Sequence, residues 1–281
     1  MIRRIAYLSI HTCPLARPGS GDAGGMNVYV DGLARTMARR GVQVEVFTRQ
    51  NEQGGQGIVE VEDGYRVVHV DLGPDDGDLL KMVSGFTDGV LTWAAENGAR
   101  YDAVHSHYWL SGWAGVVLQD RLRVPLAISF HTLGRVKNAT LRHDDTPAGL
   151  FRIATEAEVI ARAKCVVAST PAEVAELIGH YRADPERLCM SPPGVDHSIF
   201  HPGDRAEARA ALGIGAGGPL VLFAGRVQPL KGLDVAIRAF AGIADTHPEA
   251  KMMIVGGASG ERGPAEMAAM LDLTADLGLA D

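Results

Sequence analysis

The chain has 281 residues, 46% of them hydrophobic and 22% charged, an ordinary globular composition with enough length for one large domain or two. Its net charge of −7 argues against nucleic acid as the main partner and leaves room only for a local basic site, such as one for phosphate. Three well-separated cysteines, Cys13, Cys165 and Cys189, show no C-x-x-C spacing, so neither a disulfide framework nor a zinc cluster is expected.

No apolar run reaches the roughly eighteen residues that a membrane span needs, and the run in "MIRRIAYLSIH" is too short for a signal peptide. The expected location is cytoplasmic. Along the chain, short β-rich runs alternate with longer amphipathic ones. The predicted strands are "RIAYLSI", "VQVEVFT", "YRVVHVDL", "YDAVHSH", "PLAISFH", "CVVAST" and "RLCMSP". Between them lie the helical patterns "MNVYVDGLARTMARRG", "GDLLKMVSGFTDGVLTWAAENG", "AGLFRIATEAEVIARAK" and "PAEVAELIGHY". Such alternation predicts parallel strands with right-handed crossovers, an α/β doubly wound domain over residues 1–196.

A Pro/Gly-punctuated connection follows, "PPGVDHSIFHPGD", within a linker read over 193–214 that also holds a short helix, "RAEARAALGI". The alternation then restarts with strand "PLVLFAG", helix "LDVAIRAFAGIADTHP", strand "KMMIVGG" and helix "PAEMAAMLDLTADLG". Residues 197–281 therefore form the start of a second Rossmann-like domain. Two strands are few for such a sheet, so this domain is expected to be incomplete and the chain alone to be inactive.

The stretch "PGSGDAGGMNVYV" contains the spacing G-x-G-x-x-G at Gly19, Gly21 and Gly24. Two contextual tests count against a dinucleotide site: eight residues separate Ile10 from Gly19, and the second strand ends in Phe47-Thr48-Arg49 rather than an acid. Gly24 and Gly25 abut a helix start, a placement suited to backbone N–H groups facing a ligand phosphate.

Together "LSIHTCPLARPGSGDAGGMNVYV", "HSHYWLSGW", "FHTLGRVKN", "DDTP" and "FAGRVQPLKG" resemble the family 4 glycosyltransferases, from about residue 5 to the end of the chain. Within that family the motifs are most like the inositol-phosphate N-acetylglucosaminyltransferases of mycothiol synthesis, and less like the sucrose-phosphate synthases. The resemblance implies the two-domain GT-B fold and transfer, with retention, of a hexosyl or N-acetylhexosaminyl group. The donor would be a UDP-type nucleotide-sugar and the acceptor a phosphorylated polyol or sugar such as inositol phosphate. It implies no tightly bound cofactor and no divalent metal, and a homodimer is an open alternative.

The chemistry of the residues agrees with that implication. Breaking an anomeric bond to a diphosphate builds charge on the leaving oxygens, and without a metal that charge needs fixed cations. Arg226 and Lys231 in "GRVQPLKG" leave a strand end and match the family's diphosphate-binding pair. By the resemblance, His131 sits beside the donor sugar, where its backbone carbonyl and ring help position the anomeric carbon. No carboxylate pair for double displacement is evident. The resemblance implies instead a front-face return in which the leaving phosphate helps deprotonate the acceptor.

It also places His11, Asp22, Asn27, Tyr108, Thr132 and Arg152 at the acceptor, with Arg152 as charge partner of the phosphate. One departure from the resemblance stands out: by spacing, the position of the relatives' acceptor-phosphate lysine falls near Asp76, with Lys81 the nearby cation, and a carboxylate there would repel phosphate. His105 and His107 share a strand face, as zinc ligands can, but two ligands do not make a site. Two other classes remain: a non-catalytic ligand-binding fragment of the same fold, and a nucleotide-dependent oxidoreductase.

Overall fold

The computed structural model describes residues 2–19, 23–50, 56–74, 77–141, 146–215, 217–258 and 262–279. Apolar runs buried on both faces, the mark of central parallel strands, form β1 (Arg4–Ser9) and β2 (Gln43–Arg49), joined by α1 (Gly25–Arg39). Next come β3 (Ile58–Glu62), β4 (Tyr65–Val70), α2 (Leu79–Glu96), β5 (Ala103–His107) and α3 (Trp109–Leu122). The sheet is completed by β6 (Leu126–Ser129), α4 (Gly134–Ala139), α5 (Leu150–Arg162), β7 (Cys165–Ala168), α6 (Pro171–Tyr181) and β8 (Leu188–Met190).

The eight strands lie in the order β3-β4-β2-β1-β5-β6-β7-β8, parallel throughout except for the β3–β4 pair. The all-parallel expectation is thus corrected at one edge. β3 alternates without being buried and turns back through Asp63-Gly64, where Gly64 has φ +79°, a two-residue hairpin. Helix α3 is a second addition, because eight of its residues from Trp109 to Leu118 are buried and it shows no single polar face. It approaches the sheet closely: a Cβ on Gly115 would stand 2.3 Å from Ser106 Oγ and 2.7 Å from Leu126 Cδ1.

The cysteine reading is also corrected. Neighbouring strands β7 and β8 bring Cys165 and Cys189 to a Cα–Cα distance of 6.1 Å as a disulfide, although 24 residues separate them in sequence, while Cys13 is a buried free thiol. Start signals fix the helices that flank the sheet. Asp78 caps α2 by accepting from Leu80 N and Lys81 N, and Thr170 caps α6 by accepting from Glu173 N ahead of Pro171.

The chain divides into two compact units, one of Met1–Ala16 with Gly25–Pro193, the other of Arg17–Gly24 with Gly194–Asp281. The C-terminal unit contains α7 (Arg205–Ala211), β9 (Leu220–Ala224), α8 (Leu233–Ala244), β10 (Lys251–Val255) and α9 (Gly263–Asp276). Its β9 and β10 pair in parallel, and Val227, Leu233 and Ile237 form its small core with Phe223, Met252 and Met267. Among the described residues no helix is long and apolar enough to cross a membrane.

Candidate glycosyl-transfer site

In the N-terminal unit the carboxyl ends of β5 and β6 carry two residues in strained backbone conformations. Tyr108 has φ +74° and ψ 162°, and His131 has φ +62°, regions that non-glycine residues occupy at a cost of about 1–3 kcal/mol each. Strain of this kind persists where surrounding structure holds it. Here Tyr108 N donates to Ser129 O at 2.9 Å, and His107 Nδ1 lies 3.2 Å from His131 Nε2.

Arg152, on the first turn of α5, converges on the same place. Its Nη1 donates to Tyr108 Oη at 3.0 Å, and its Nη2 to Thr132 O and Oγ1, each at 3.1 Å. The guanidinium also lies over the Tyr108 ring, 5.0 Å from its centroid. The structure therefore brings together four residues expected from sequence, Tyr108, Thr132, Arg152 and His11, the last with its ring 4.9 Å from that of Tyr108.

Asn27 is placed differently. It is buried, and its amide nitrogen donates to Thr12 Oγ1 at 2.8 Å and to Cys13 O, so those bonds fix the loop after β1. Asp22 and Asp76 lie outside the described residues. Lys81 and Asp78 line a separate cavity of about 280 Å³ together with Arg49, Asp71 and Asp88.

Sequence reasoning missed what holds Arg152. Glu156, one helical turn on and fully buried, accepts from Arg152 Nε at 2.7 Å and from Gly134 N at 2.9 Å, and also from Tyr181 Oη. The i,i+4 spacing of Arg152 and Glu156 was the available signal; nothing in the sequence points to Tyr181.

Behind Tyr108, the rings of His105, His107 and His131 pack in a row, with centroids 4.3 Å and 5.4 Å apart, beside Tyr7 and Tyr29. Burial pushes His105 down to about 3 and His131 down to about 4; His107 falls well below 6.5, through burial first and then its neighbouring histidines. All three are neutral in the native state. Unfolded, they bind protons below about pH 6.5, so the stability they contribute is present above that pH and is lost as pH falls toward 4. The unfolding free energy of the N-terminal unit, followed through its urea midpoint, should fall between pH 6.5 and 5, by up to about 1.4 kcal/mol per pH unit for each histidine. A midpoint that stays flat over that window would refute the burial argument. Among the described residues no three His, Cys, Asp or Glu side chains are grouped to hold a metal.

In the C-terminal unit, Arg226 follows β9 and is clamped on both sides: Gly225 N donates to Val255 O and Val227 N to Gly257 O, each at 2.9 Å. Gly256, at φ +153°, is required there because a Cβ would fall 1.8 Å from Gly225 O. Lys231 ends the 3-10 turn Pro229–Lys231, directly before Gly232 (φ +67°) and the amino end of α8. Gly24 belongs to this unit, and a Cβ on it would stand 3.5 Å from Arg226 Nε. A cation at a strand's carboxyl end and another at a helix amino end form the usual setting for a phosphorylated ligand. Gly25, the first residue of α1 in the N-terminal unit, has open space where a Cβ would stand.

Residues 24–194 match the Glycosyl transferase 4-like domain and residues 204–279 the Glycosyl transferases group 1 domain. The D-inositol 3-phosphate glycosyltransferases of Kineococcus radiotolerans and Streptomyces scabiei are 46% and 45% identical, over 100% and 99% of this chain. The chain spans 66% and 65% of the length of those two relatives. Sucrose-phosphate synthase from Thermosynechococcus elongatus superposes with a TM-score of 0.87 at 28% identity, covering 99% of this chain and 69% of that one. Anabaena HepE, solved with UDP and glucose, has the same fold, with a TM-score of 0.71 at 17% identity over 99% of this chain and 67% of its own. The α/β architecture expected from the sequence is that of these GT-B neighbours, and the chain belongs to the Glycosyl transferase 4-like family.

Proposed function

We propose that this chain binds a UDP-type nucleotide-sugar and a phosphorylated polyol such as inositol phosphate, and transfers a hexosyl or N-acetylhexosaminyl group between them with retention. The observation that carries the reading is the convergence of Arg152, Tyr108 and Thr132 beside two strained strand ends. A guanidinium with hydroxyls on both sides is suited to a phosphate monoester. The names of the relatives support inositol phosphate as acceptor, and the ligand of HepE supports UDP in the donor. Arg226 and Lys231 supply the charge that stabilises the leaving diphosphate without a divalent metal.

Retention by front-face return belongs to the same proposal. Glu156, the buried carboxylate nearest Arg152, is already engaged by Arg152, Gly134 and Tyr181, so it is not free to act as a nucleophile. A cytoplasmic location completes the reading. Calorimetric titration of the chain tests it: D-inositol 3-phosphate should bind roughly tenfold or more tighter than inositol, and UDP should bind independently. Equal affinity for the two inositols would overturn the acceptor assignment. Stabilisation by NADH with none by UDP would overturn the whole reading in favour of an oxidoreductase.

A further inference from the structure

We propose that His107 is the positioning residue for His131, holding that ring as its neutral Nδ1–H tautomer by donating from His107 Nδ1 to His131 Nε2. The inference rests on the reading above, in which His131 acts beside the donor sugar.

The two rings stand at the ends of adjacent strands. β5 and β6 pair His107 with Ser129, His131 follows two residues later, and the nitrogens are 3.2 Å apart in rings stacked at 29°. A neutral imidazole carries one proton, so only two arrangements make this bond. In the first, His131 Nε2–H donates, and His107 must then keep its own proton on Nε2. That atom is fully buried and meets no partner. An orphaned N–H in a protein interior is the rarer and costlier kind of unmet polar group. In the second arrangement, His107 Nδ1–H donates and its Nε2 is a bare lone pair, which the apolar surroundings accept more readily.

The surroundings give no reason to reverse that choice. Rings of Tyr7, Tyr29 and His105 pack against His107, at centroid distances of 5.3, 6.0 and 4.3 Å, and none of them donates to its Nε2. His105 spends its own Nε2 on Ser129 Oγ at 3.0 Å. Burial keeps both His107 and His131 uncharged at neutral pH. His131 then has its Nε2 lone pair occupied and a proton on Nδ1, which makes no hydrogen bond within the described chain. It can give a hydrogen bond to a ligand oxygen but cannot take a proton through Nε2. Its part in transfer is orientation, not acid–base exchange.

The test uses the full chain with 15N-labelled histidine rings at neutral pH, His131 being assigned from its absence in His131→Asn. Long-range 1H–15N spectra should show His131 with a protonated Nδ1 and a bare Nε2. His107→Phe, which keeps a ring and removes the donor, should bring in the Nε2–H form that free imidazole prefers. His107→Asn, whose amide nitrogen can stand where Nδ1 was, should restore Nδ1–H. Where transfer is measured, His107→Phe should lower kcat on the order of tenfold with the acceptor KM unchanged, and His107→Asn should recover it. An Nε2–H tautomer in the unsubstituted chain would overturn the proposal by itself, whether or not the variants fold. A His131 tautomer unmoved in a folded His107→Phe would do the same. Spectra as expected, without UDP or inositol phosphate binding, would instead overturn the functional reading and leave the tautomer assignment standing.

Discussion

Arg152→Ala should destabilise the N-terminal unit by about 3–5 kcal/mol and weaken a phosphorylated acceptor by about 1.5–3 kcal/mol. The first effect comes from Glu156, whose side chain is fully buried while that of Arg152 is 13% exposed. Removing the cation leaves a buried carboxylate with Gly134 N and Tyr181 Oη as donors but no compensating charge. The second effect comes from the lost guanidinium donors beside Tyr108 and Thr132. Urea unfolding of Arg152→Ala, Glu156→Gln and the double variant separates the two. The double variant should be more stable than Arg152→Ala, because the orphaned charge is gone, yet should bind acceptor no better. Unchanged stability in Arg152→Ala would refute the buried pair. A fall in donor affinity in place of acceptor affinity would mean that the two subsites are assigned the wrong way round.

The alternation of β-rich and amphipathic runs was enough to read the parallel sheet, since period-2 and period-3.6 patterns are local signals. β3 also had a local signal, Asp63-Gly64 between alternating residues, but with Glu60 and Glu62 in five residues it offers no continuous apolar run. Helix α3 escaped for the opposite reason: it is buried nearly all round, so no hydrophobic stripe marks it out. The disulfide needed knowledge of strand order, because β7 and β8 become neighbours only when the sheet is wound.

The site shows the same division. Tyr108, Thr132 and Arg152 were placed at the acceptor by the family resemblance, and each sits at or just beyond the end of a strand or at the start of a helix. What positions them comes from afar: Tyr181 reaches Glu156 across 25 residues and His107 reaches His131 across 24. Such bonds follow from topology and leave no periodic trace in sequence. The strained φ values of Tyr108 and His131 are equally silent there, since neither is a glycine.

Placed in a version of the protein as long as its relatives, alanine at Arg226 or at Lys231 should each lower turnover by about 10²–10³, the loss expected when one preorganised donor to developing charge is removed. The backbone on both sides of Arg226 is tied to Val255, the last residue of β10, and to Gly257 just after it, and Val227 is buried, so the guanidinium starts from a fixed root and costs little to reorganise. Lys231 is fixed differently, at the end of a 3-10 turn and one residue before the left-handed Gly232 that starts α8. Its ammonium charge therefore adds to the positive end of that helix. The two cations are not interchangeable: Lys231→Arg brings a planar fork to a place that holds a compact charge and should recover only part of the activity. Nucleotide diphosphate released in a coupled assay, read beside UDP affinity by titration, gives both halves of the answer. Lower turnover with near-normal UDP affinity is the expected pattern, because the charge on the leaving diphosphate is greatest in the transition state. Weaker UDP binding with normal turnover would make Arg226 and Lys231 ground-state ligands, and normal values for both variants would remove them from the site.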